Sequence, residues 1–371
     1  MNRYFVSISA WTIVFASILF LSGCAYFNTM YNAQKKFEEA EREVEAPPQQ
    51  TEPGRPLPQG TVQPRPVPIE KYRKVIETSA KLLENYPKSR WVDDALLLMG
   101  ISYYRINDLA RAERKFSELT TLFPNSPHIT TALIWKARVL SEQKRSEEAI
   151  ELLREGTGKM KSGTRKADAL FLLGNLYYDL KKWGDAAEQF HLSLQQKQRG
   201  EQRYTALYRY GLSLYNSGKH AEARDALSAS AKASNSIAQA YDAYVYWSRC
   251  ELALQNPAQA EAILLRVRSS ERFLDYTDDI ELELANLALE TGRVNDAMTL
   301  YQNYIAEHET GEGRGLAFYR LASIQRYHQV NLTLAKSLLD SVIRCGASRE
   351  IADSARMAID QISKGLLALE N

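Results

Sequence analysis

One feature constrains the fold of this chain more than any other: a small residue recurs every 37 positions. The seven positions are Gly100, Ala137, Gly174, Gly211, Ser248, Ala285 and Ala322. Twelve positions after each lie Ala112, Ala149, Ala186, Ala223, Ala260, Ala297 and, in the last unit, Leu334, where the small residue Ala335 is one place off. Sixteen positions after each lie large apolar residues: Phe116, Leu153, Phe190, Leu227, Leu264, Tyr301 and Leu338. Such internal repetition is typical of a stacked array of structural units.

The three series predict a pair of packed helices in each unit. A small residue on the first helix allows close approach of the second helix, whose own small residue accepts it, and the large residue one turn later fills the groove. A single unit of this size buries too little apolar surface to fold alone, so neighbouring units must stack. We therefore predict an all-α fold with seven such units over residues 93–345, followed by a capping helix within residues 346–371.

The same residues resemble a known family, the tetratricopeptide repeats. The first unit carries Leu96, Met99, Gly100, Tyr103, Ala112, Phe116 and Pro124 at the spacings of that family, and the third carries Leu170, Leu173, Gly174, Tyr177, Ala186 and Phe190. The resemblance covers about residues 69 to 345. It implies a right-handed solenoid of about seven helical hairpins, with an N-terminal helix before it, and a protein that binds other proteins without catalysis.

The N-terminus carries an export signal. An apolar run from Tyr4 to Leu21 is followed by Leu21-Ser22-Gly23-Cys24, which resembles the lipobox of bacterial lipoproteins. By that resemblance residues 1–23 are a cleaved signal peptide, and Cys24 bears the acyl chains that anchor the protein to a membrane. The alternative is an uncleaved transmembrane helix. Because Ala25 and not Asp follows Cys24, the resemblance implies the outer membrane, facing the periplasm, or the cell membrane where the source has no outer membrane.

Three segments separate the lipid from the array. Residues 24–45 are predicted to form an amphipathic helix near the lipid, and residues 46–68, which hold eight of the twelve prolines, are predicted to be an extended linker. Residues 69–92 are predicted to be a half repeat, whose missing first helix is expected within residues 26–45. With about 22 extended residues at roughly 3.1 Å each, the linker would let the array work about 70 Å from its lipid.

Two short phrases narrow the resemblance. Tyr86-Pro87-Lys88-Ser89 and Phe123-Pro124-Asn125-Ser126-Pro127, together with the lipobox and the long repeats, are similar to the BamD-like group of outer-membrane lipoproteins. This similarity implies a function in outer-membrane assembly.

The sequence offers no catalytic or cofactor site. It contains no HExxH, CxxC, GxSxG or P-loop pattern, so we predict no enzyme and no cofactor. Gly311–Gly315 and Ser141–Lys144 superficially resemble a phosphate loop and an SxxK motif, but both are predicted to be connections between helices. The five histidines show no metal-ligand spacing, so no metal site is predicted, and Cys250 is expected to pack inside a first helix. Lys plus Arg (47) nearly balances Asp plus Glu (45), which makes nucleic acid an improbable partner.

The candidate site is therefore a surface. In the tetratricopeptide family the first helices line a concave groove with the positions three before, one after and four after the small marker residue. The partner-binding residues that the resemblance implies are Tyr104, Arg138, Phe171, Asn175, Tyr178, Tyr208, Tyr215, Arg249, Asn286, Tyr319 and Arg326. A tyrosine-rich groove suits a peptide or protein segment of an envelope protein. Two alternatives remain open: the tyrosines only pack adjacent first helices together, or the groove binds a glycan such as peptidoglycan.

Overall fold

A computed structural model describes residues 28–44, 67–198 and 200–370, with side chains up to residue 364. The predicted signal peptide, Cys24 and most of the proline-rich linker lie outside these residues. Every regular element within them is helical, which confirms the predicted all-α class. The helices are α1 (28–44), α2 (Ile69–Asn85), α3 (Val92–Arg105), α4 (Leu109–Leu122), α5 (Ile129–Glu142), α6 (Ser146–Lys159), α7 (Thr164–Asp179), α8 (Trp183–Leu194), α9 (Gly200–Asn216), α10 (His220–Ala233), α11 (Ile237–Ala253), α12 (Pro257–Arg268), α13 (Thr277–Glu290), α14 (Val294–Glu307), α15 (Glu312–Tyr327), α16 (Leu332–Arg344) and α17 (Arg349–Glu370). Among the helices described, none combines the length and apolarity required to cross a membrane.

These helices form two compact units. The first unit contains α1 to α7 and a short piece at residues 195–197, and the second contains α8 to α17. The odd-numbered helices from α3 to α15 are the first helices of the seven predicted hairpins, and the even-numbered helices from α4 to α16 are the second helices. A 3₁₀ helix, Glu271–Tyr276, precedes α13. The final helix, α17, packs Ile351, Ala355 and Ile362 against the last hairpin, as a capping helix should.

Close helix crossings explain the repeat. A Cβ atom built on Gly100 would lie 2.5 Å from Cε1 of Phe116, and one built on Gly211 would lie 2.6 Å from Cγ of Leu227. In the unit centred on Ser248, the serine Oγ donates a hydrogen bond to the carbonyl oxygen of Ala260 at 2.9 Å. The small marker residues on the first helices therefore contact the small and the large apolar residues on the second helices, as the pattern predicts.

The last repeat departs from the predicted register by one residue. Ala335 and not Leu334 is fully buried, and Leu334 is exposed. Likewise Leu339, and not Leu338, is the large residue buried in the crossing. The cause is one extra residue in the turn between α15 and α16, where the left-handed position has moved to Val330 with a φ of 55°. The predicted positions Leu334 and Leu338 are therefore wrong by one.

The left-handed position itself recurs with the period of the array. It lies in the turn between the two helices of each hairpin, seven residues after the marker and eight in the last unit. Its occupants are Asn107, Lys144, Lys181, Gly218, Gln255, Gly292 and Val330. A left-handed residue after a helix ends the helix and turns the chain, and glycine or asparagine adopts this conformation most readily. Only three of the seven positions hold either residue, so composition alone did not reveal the turn.

Helix α1 belongs to the first unit. Tyr72 on α2 donates a hydrogen bond to Glu41 at 2.5 Å, and Lys36 donates to Thr78 Oγ1 at 3.0 Å. Residues later in α1 contact residues earlier in α2, so the two helices are antiparallel. Arg105 on α3 also reaches Glu41, at 2.7 Å, and Met30 lies in the core of this unit.

This packing corrects the expected reach of the lipid anchor. Because α1 lies against α2 and α3, the proline-rich segment connects two helices of one unit and does not separate the array from its N-terminus. Only residues 25–27 lie between Cys24 and the first described residue of α1. The expectation that the array works about 70 Å from its lipid is therefore wrong.

Candidate functional site

Three of the predicted groove residues meet at one cavity in the second unit. Tyr215 on α9, Arg249 on α11 and Asn286 on α13 line a cavity of about 400 Å³. The wall also includes Leu252, Glu283, Glu290 and Arg320, the last of which lies on α15. First helices from four successive repeats thus contribute to a single site, because the first helices of neighbouring repeats lie beside one another.

The electrostatics of the cavity centre on Arg249. Its guanidinium pairs with the Glu283 carboxylate at 2.6 Å and lies 5.1 Å from the centre of the Tyr246 ring. Burial by itself lowers the pKa of Arg249, but the Glu283 carboxylate more than offsets this effect and raises it. The pKa of Tyr215 is raised, chiefly by burial, so its hydroxyl stays protonated at neutral pH. The wall therefore offers a fixed cation, a fixed anion and a neutral phenol.

Asn286 is held by a buried neighbour. The hydroxyl of Tyr301, which is fully buried, donates a hydrogen bond to Asn286 Oδ1 at 2.7 Å. With its oxygen engaged, the amide presents its nitrogen as a donor. Glu290 and Arg320 are exposed at the rim, so the cavity carries two carboxylates and two guanidiniums in all.

In the first unit two of the five predicted residues contact the ring of Trp135 on α5. Tyr104 on α3 meets Trp135 on α5 edge to face, with ring centres 5.2 Å apart. Arg138 lies over the same Trp135 ring at 4.8 Å. The other three predicted residues of this unit are Phe171, Asn175 and Tyr178, each partly exposed on α7. The Oδ1 atom of Asn175 is buried without a hydrogen bond among the described residues.

The remaining predicted residues lie on first helices of the second unit but do not line the cavity. Tyr208 donates a hydrogen bond of 3.4 Å to Asp242 on the next first helix. Tyr319 lies partly exposed on α15. Arg326 donates to Gln361 on α17 at 3.1 Å and stacks on Tyr327. Tyr208 and Arg326 therefore tie neighbouring helices together.

The structure also shows a groove position that the sequence analysis omitted. Two residues before four of the seven markers stand Trp135, Tyr246, Glu283 and Arg320, which contact the predicted groove residues or line the cavity. Tyr215 contacts Tyr246 in the same way as Tyr104 contacts Trp135. In both pairs the first residue lies four positions after one marker, and the second lies two positions before the next marker. The 37-residue register would have identified this position. The same contacts show that Tyr104 and Tyr215 do pack adjacent first helices together, while Tyr215 also lines the cavity.

One cluster of possible metal ligands lies elsewhere. Asp93, Asp94 and His128 place ligand atoms within 4.8 Å of one another in the first unit. His128 lies about one repeat after the two aspartates in sequence, so the cluster shows no short metal-ligand spacing in the sequence. Asp93 accepts a hydrogen bond from Ser126 at 2.6 Å, and His128 Nε2 lies 3.0 Å from Asp94. These bonds fix one repeat to the next, which accounts for the cluster.

The sequence features set aside as non-catalytic have structural functions. Cys250 is fully buried, as expected, and burial raises the pKa of its thiol to about 12, so it is no nucleophile at neutral pH. Lys144 N donates to the Ser141 carbonyl oxygen within a turn. The backbone N–H of Gly311 donates to the Cys345 carbonyl oxygen, which links the start of α15 to the end of α16, and residues 312–315 belong to α15 and not to the predicted connection.

Comparison with known proteins agrees with this architecture. Residues 97–159 and 171–238 match the family model described as tetratricopeptide repeat. The crystal structure of a tetratricopeptide repeat protein from Parabacteroides merdae is similar with a TM-score of 0.51 and 16% identity, over 72% of this chain and 98% of that one. No curated protein matches the chain in sequence.

Two further solved structures overlap less. YrrB, described as a tetratricopeptide repeat protein with an unusual peptide-binding site, has a TM-score of 0.45 at 18% identity, over 59% of this chain and all of that one. PilF of Pseudomonas aeruginosa has a TM-score of 0.43 at 18% identity, over 57% of this chain and 90% of that one. At such identities the similarity concerns the fold alone. Residues 97–159 and 171–238 are thus similar in sequence to tetratricopeptide repeats, and most of the chain shares the fold of a tetratricopeptide repeat protein.

Proposed function

We propose that this protein is a lipid-anchored, non-enzymatic scaffold of the bacterial envelope that binds a peptide segment of a partner protein. The observation that carries the proposal is the cavity of about 400 Å³ on which Tyr215, Arg249 and Asn286 converge. Ligand sites combine apolar walls with a few placed polar groups, as this cavity does.

The cavity wall matches the needs of an extended peptide. A bound backbone requires acceptors for its N–H groups and donors for its carbonyl groups. Glu290 supplies an acceptor, while Arg320 and the amide nitrogen of Asn286 supply donors. Leu252 and the Tyr215 ring cover an apolar side chain, and a rigid aromatic ring does so at small entropic cost.

The anchor places this scaffold in the envelope. Cys24 in its lipobox carries the acyl chains, and two or more chains hold a protein stably on a bilayer. Ala25 favours transfer to the outer membrane, with the array facing the periplasm. The partners are envelope proteins, and the process is outer-membrane assembly, which the similarity of the lipobox and of residues 86–89 and 123–127 to BamD-like lipoproteins supports.

Site-specific photo-crosslinking in cells tests the groove. A photoreactive residue at position 215 is expected to capture a protein partner, and one at position 265, exposed on second helix α12, is expected not to. Leu252→Arg fills the cavity from a partly exposed position and should abolish capture at 215. Capture that survives this substitution, or equal capture at 265, would contradict the proposal. Cosedimentation with purified cell wall that Leu252→Arg abolishes would instead favour the glycan alternative.

Fractionation tests the anchor separately. Cys24→Ser removes the acylated sulfur, so the protein should move from the detergent phase to the soluble phase on phase separation if the signal peptide is cleaved. Because an uncleaved signal peptide could itself retain the chain, the mass of the N-terminal peptide of the wild-type protein is measured as well. An unacylated N-terminus in the wild type would contradict the anchor.

A further inference from the structure

The first unit carries one edge whose charge and position fit a bilayer surface. We define the loop edge as the three connections that follow second helices: residues 86–91, 123–128 and 159–165. They link α2 to α3, α4 to α5 and α6 to α7. These connections hold five basic residues and no carboxylate: Lys88, Arg90, Lys159, Lys161 and Arg165.

The three connections lie side by side. Ser126 in the second connection donates to Asp93, which follows the first connection directly. The second and third connections together line one cleft, formed by residues 124–130 and 159–165. The five basic side chains of the loop edge are all exposed, so their charges face solvent.

Helix α1 begins at this same edge. Its pairs with α2 run from Lys36 with Thr78 to Glu43 with Lys71, so the start of α1 lies beside the end of α2, where the first connection begins. Cys24 precedes residue 28 by four residues, which span at most about 14 Å when fully extended. Any acyl chain on Cys24 is therefore held close to the loop edge, whatever the conformation of the residues between.

The exposed apolar residues of this region suit the same surface. Tyr31 in the first turns of α1 is 55% exposed, and Leu122 at the end of α4 is 65% exposed. Tyrosine is enriched where protein meets the headgroup region of a bilayer. The nearby carboxylates Asp93 and Asp94 are engaged with Ser126 and His128. The exposed Glu84 and Glu155 lie two and four residues before the loop edge, on α2 and α6, and offset part of its positive charge.

We propose that the loop edge is a membrane-facing surface that binds the anionic headgroups of the bilayer in which Cys24 is anchored. The proposal rests on the lipid anchor proposed above. Each basic residue near an anionic bilayer surface strengthens binding by up to about fivefold, and the effect weakens with salt. The lipid and the loop edge together place one end of the first hairpins against the bilayer and fix which end of the first unit faces it.

Fluorescence quenching in vesicles tests the orientation. The lipidated chain, with a fluorophore on Lys161→Cys, is reconstituted into vesicles of phosphatidylcholine and phosphatidylglycerol that contain a headgroup-attached quencher. Lys144→Cys, exposed in a turn at the other end of the hairpins, is the matched control. Quenching is expected at 161 and not at 144, and it should fall when phosphatidylglycerol is omitted. Equal quenching at both positions, or none at 161, would overturn the proposal.

A second measurement keeps the loop edge separate from the anchor. The chain from residue 25 onward, which contains every described residue, is cosedimented with the same vesicles in the absence of any acyl chain. Weak, salt-sensitive binding to anionic vesicles is expected, reduced by up to about fivefold for each basic residue of the loop edge changed to Gln. Lys144→Gln with Lys181→Gln should leave it unchanged. Absence of this binding would overturn the loop edge alone, whereas an unacylated N-terminus would overturn the proposed anchor alone.

Discussion

The crossing between α3 and α4 gives the sharpest test of why the repeat exists. A Cβ on Gly100 would lie 2.5 Å from Cε1 of Phe116, and ordinary contact begins at 3.4 Å. The ring would have to move by the difference, 0.9 Å, in a site where Phe116 has no exposed surface. Overpacking of this kind costs about 1–3 kcal/mol, while alanine gains about 1 kcal/mol over glycine in a helix. Gly100→Ala is therefore expected to be neutral or to destabilise by up to about 2 kcal/mol, and Gly100→Leu to cost more.

The next repeat supplies the compensating change. There the corresponding pair is Ala137 with Leu153, both fully buried. Gly100→Ala combined with Phe116→Leu reproduces that pair, so the two substitutions should be less harmful together than the sum of each alone. We expect a coupling of about 1–2 kcal/mol, within the range for residues in contact.

Hydrogen exchange of peptides from α3 and α4 measures the local opening free energy in all four proteins of this cycle, without assuming that the array unfolds in one step. Gly158→Ala on α6 is the control, because a Cβ there meets nothing within 4 Å and the helix should only gain. Additive effects of the two substitutions, or a Gly100→Ala protein stabilised as much as the control, would refute the packing explanation of the 37-residue marker.

Three further changes test other parts of the array. Val330→Gly should stabilise the last hairpin by up to about 1 kcal/mol, because a β-branched residue at a φ of 55° is strained and Val330 is 75% exposed; an unchanged or lower melting temperature would argue against strain. Burial lowers the pKa of His308, but its hydrogen bond to Asp278 raises this pKa overall. The contact therefore stabilises the fold below the unfolded histidine pKa of about 6.5, and this stabilisation is lost as pH rises through the folded pKa. The destabilisation caused by Asp278→Asn should accordingly be largest in mild acid, where the histidine is protonated and carboxylates are still ionised, and vanish in mild alkali, and a pH-independent effect would contradict this assignment. Glu41→Ala should cost about 1.5–3 kcal/mol and increase hydrogen exchange in α1, because it leaves Arg105 without its partner; unchanged exchange would show that α1 is held by apolar contacts alone.

Some of the site was within reach of the sequence. The 37-residue register places Tyr215, Arg249 and Asn286 on successive first helices, and these three residues do line one cavity. The same register also places Glu283 and Arg320 at one equivalent position, two residues before the marker, where they line the same cavity. The cluster of Asp93, Asp94 and His128 lay beyond local pattern analysis, because its members come together only through the stacking of two repeats.

The sequence by itself determined the all-α class, the number of hairpins and the residues at every crossing except the last. It could do so because helix crossings require small residues at fixed positions, and a 37-residue period repeats that requirement along the chain. The half repeat at residues 69–92 predicts a helix within residues 26–45 as the partner of α2, and α1 is that helix. Tertiary structure alone decided which contacts hold it, since Glu41 meets Tyr72 and Arg105 across a proline-rich segment that carries no pattern. It likewise decided which tyrosines line the cavity and which join neighbouring helices, because that depends on what the adjacent repeat places opposite each ring. A local pattern specifies the face of a helix, whereas the partner of that face is specified by packing.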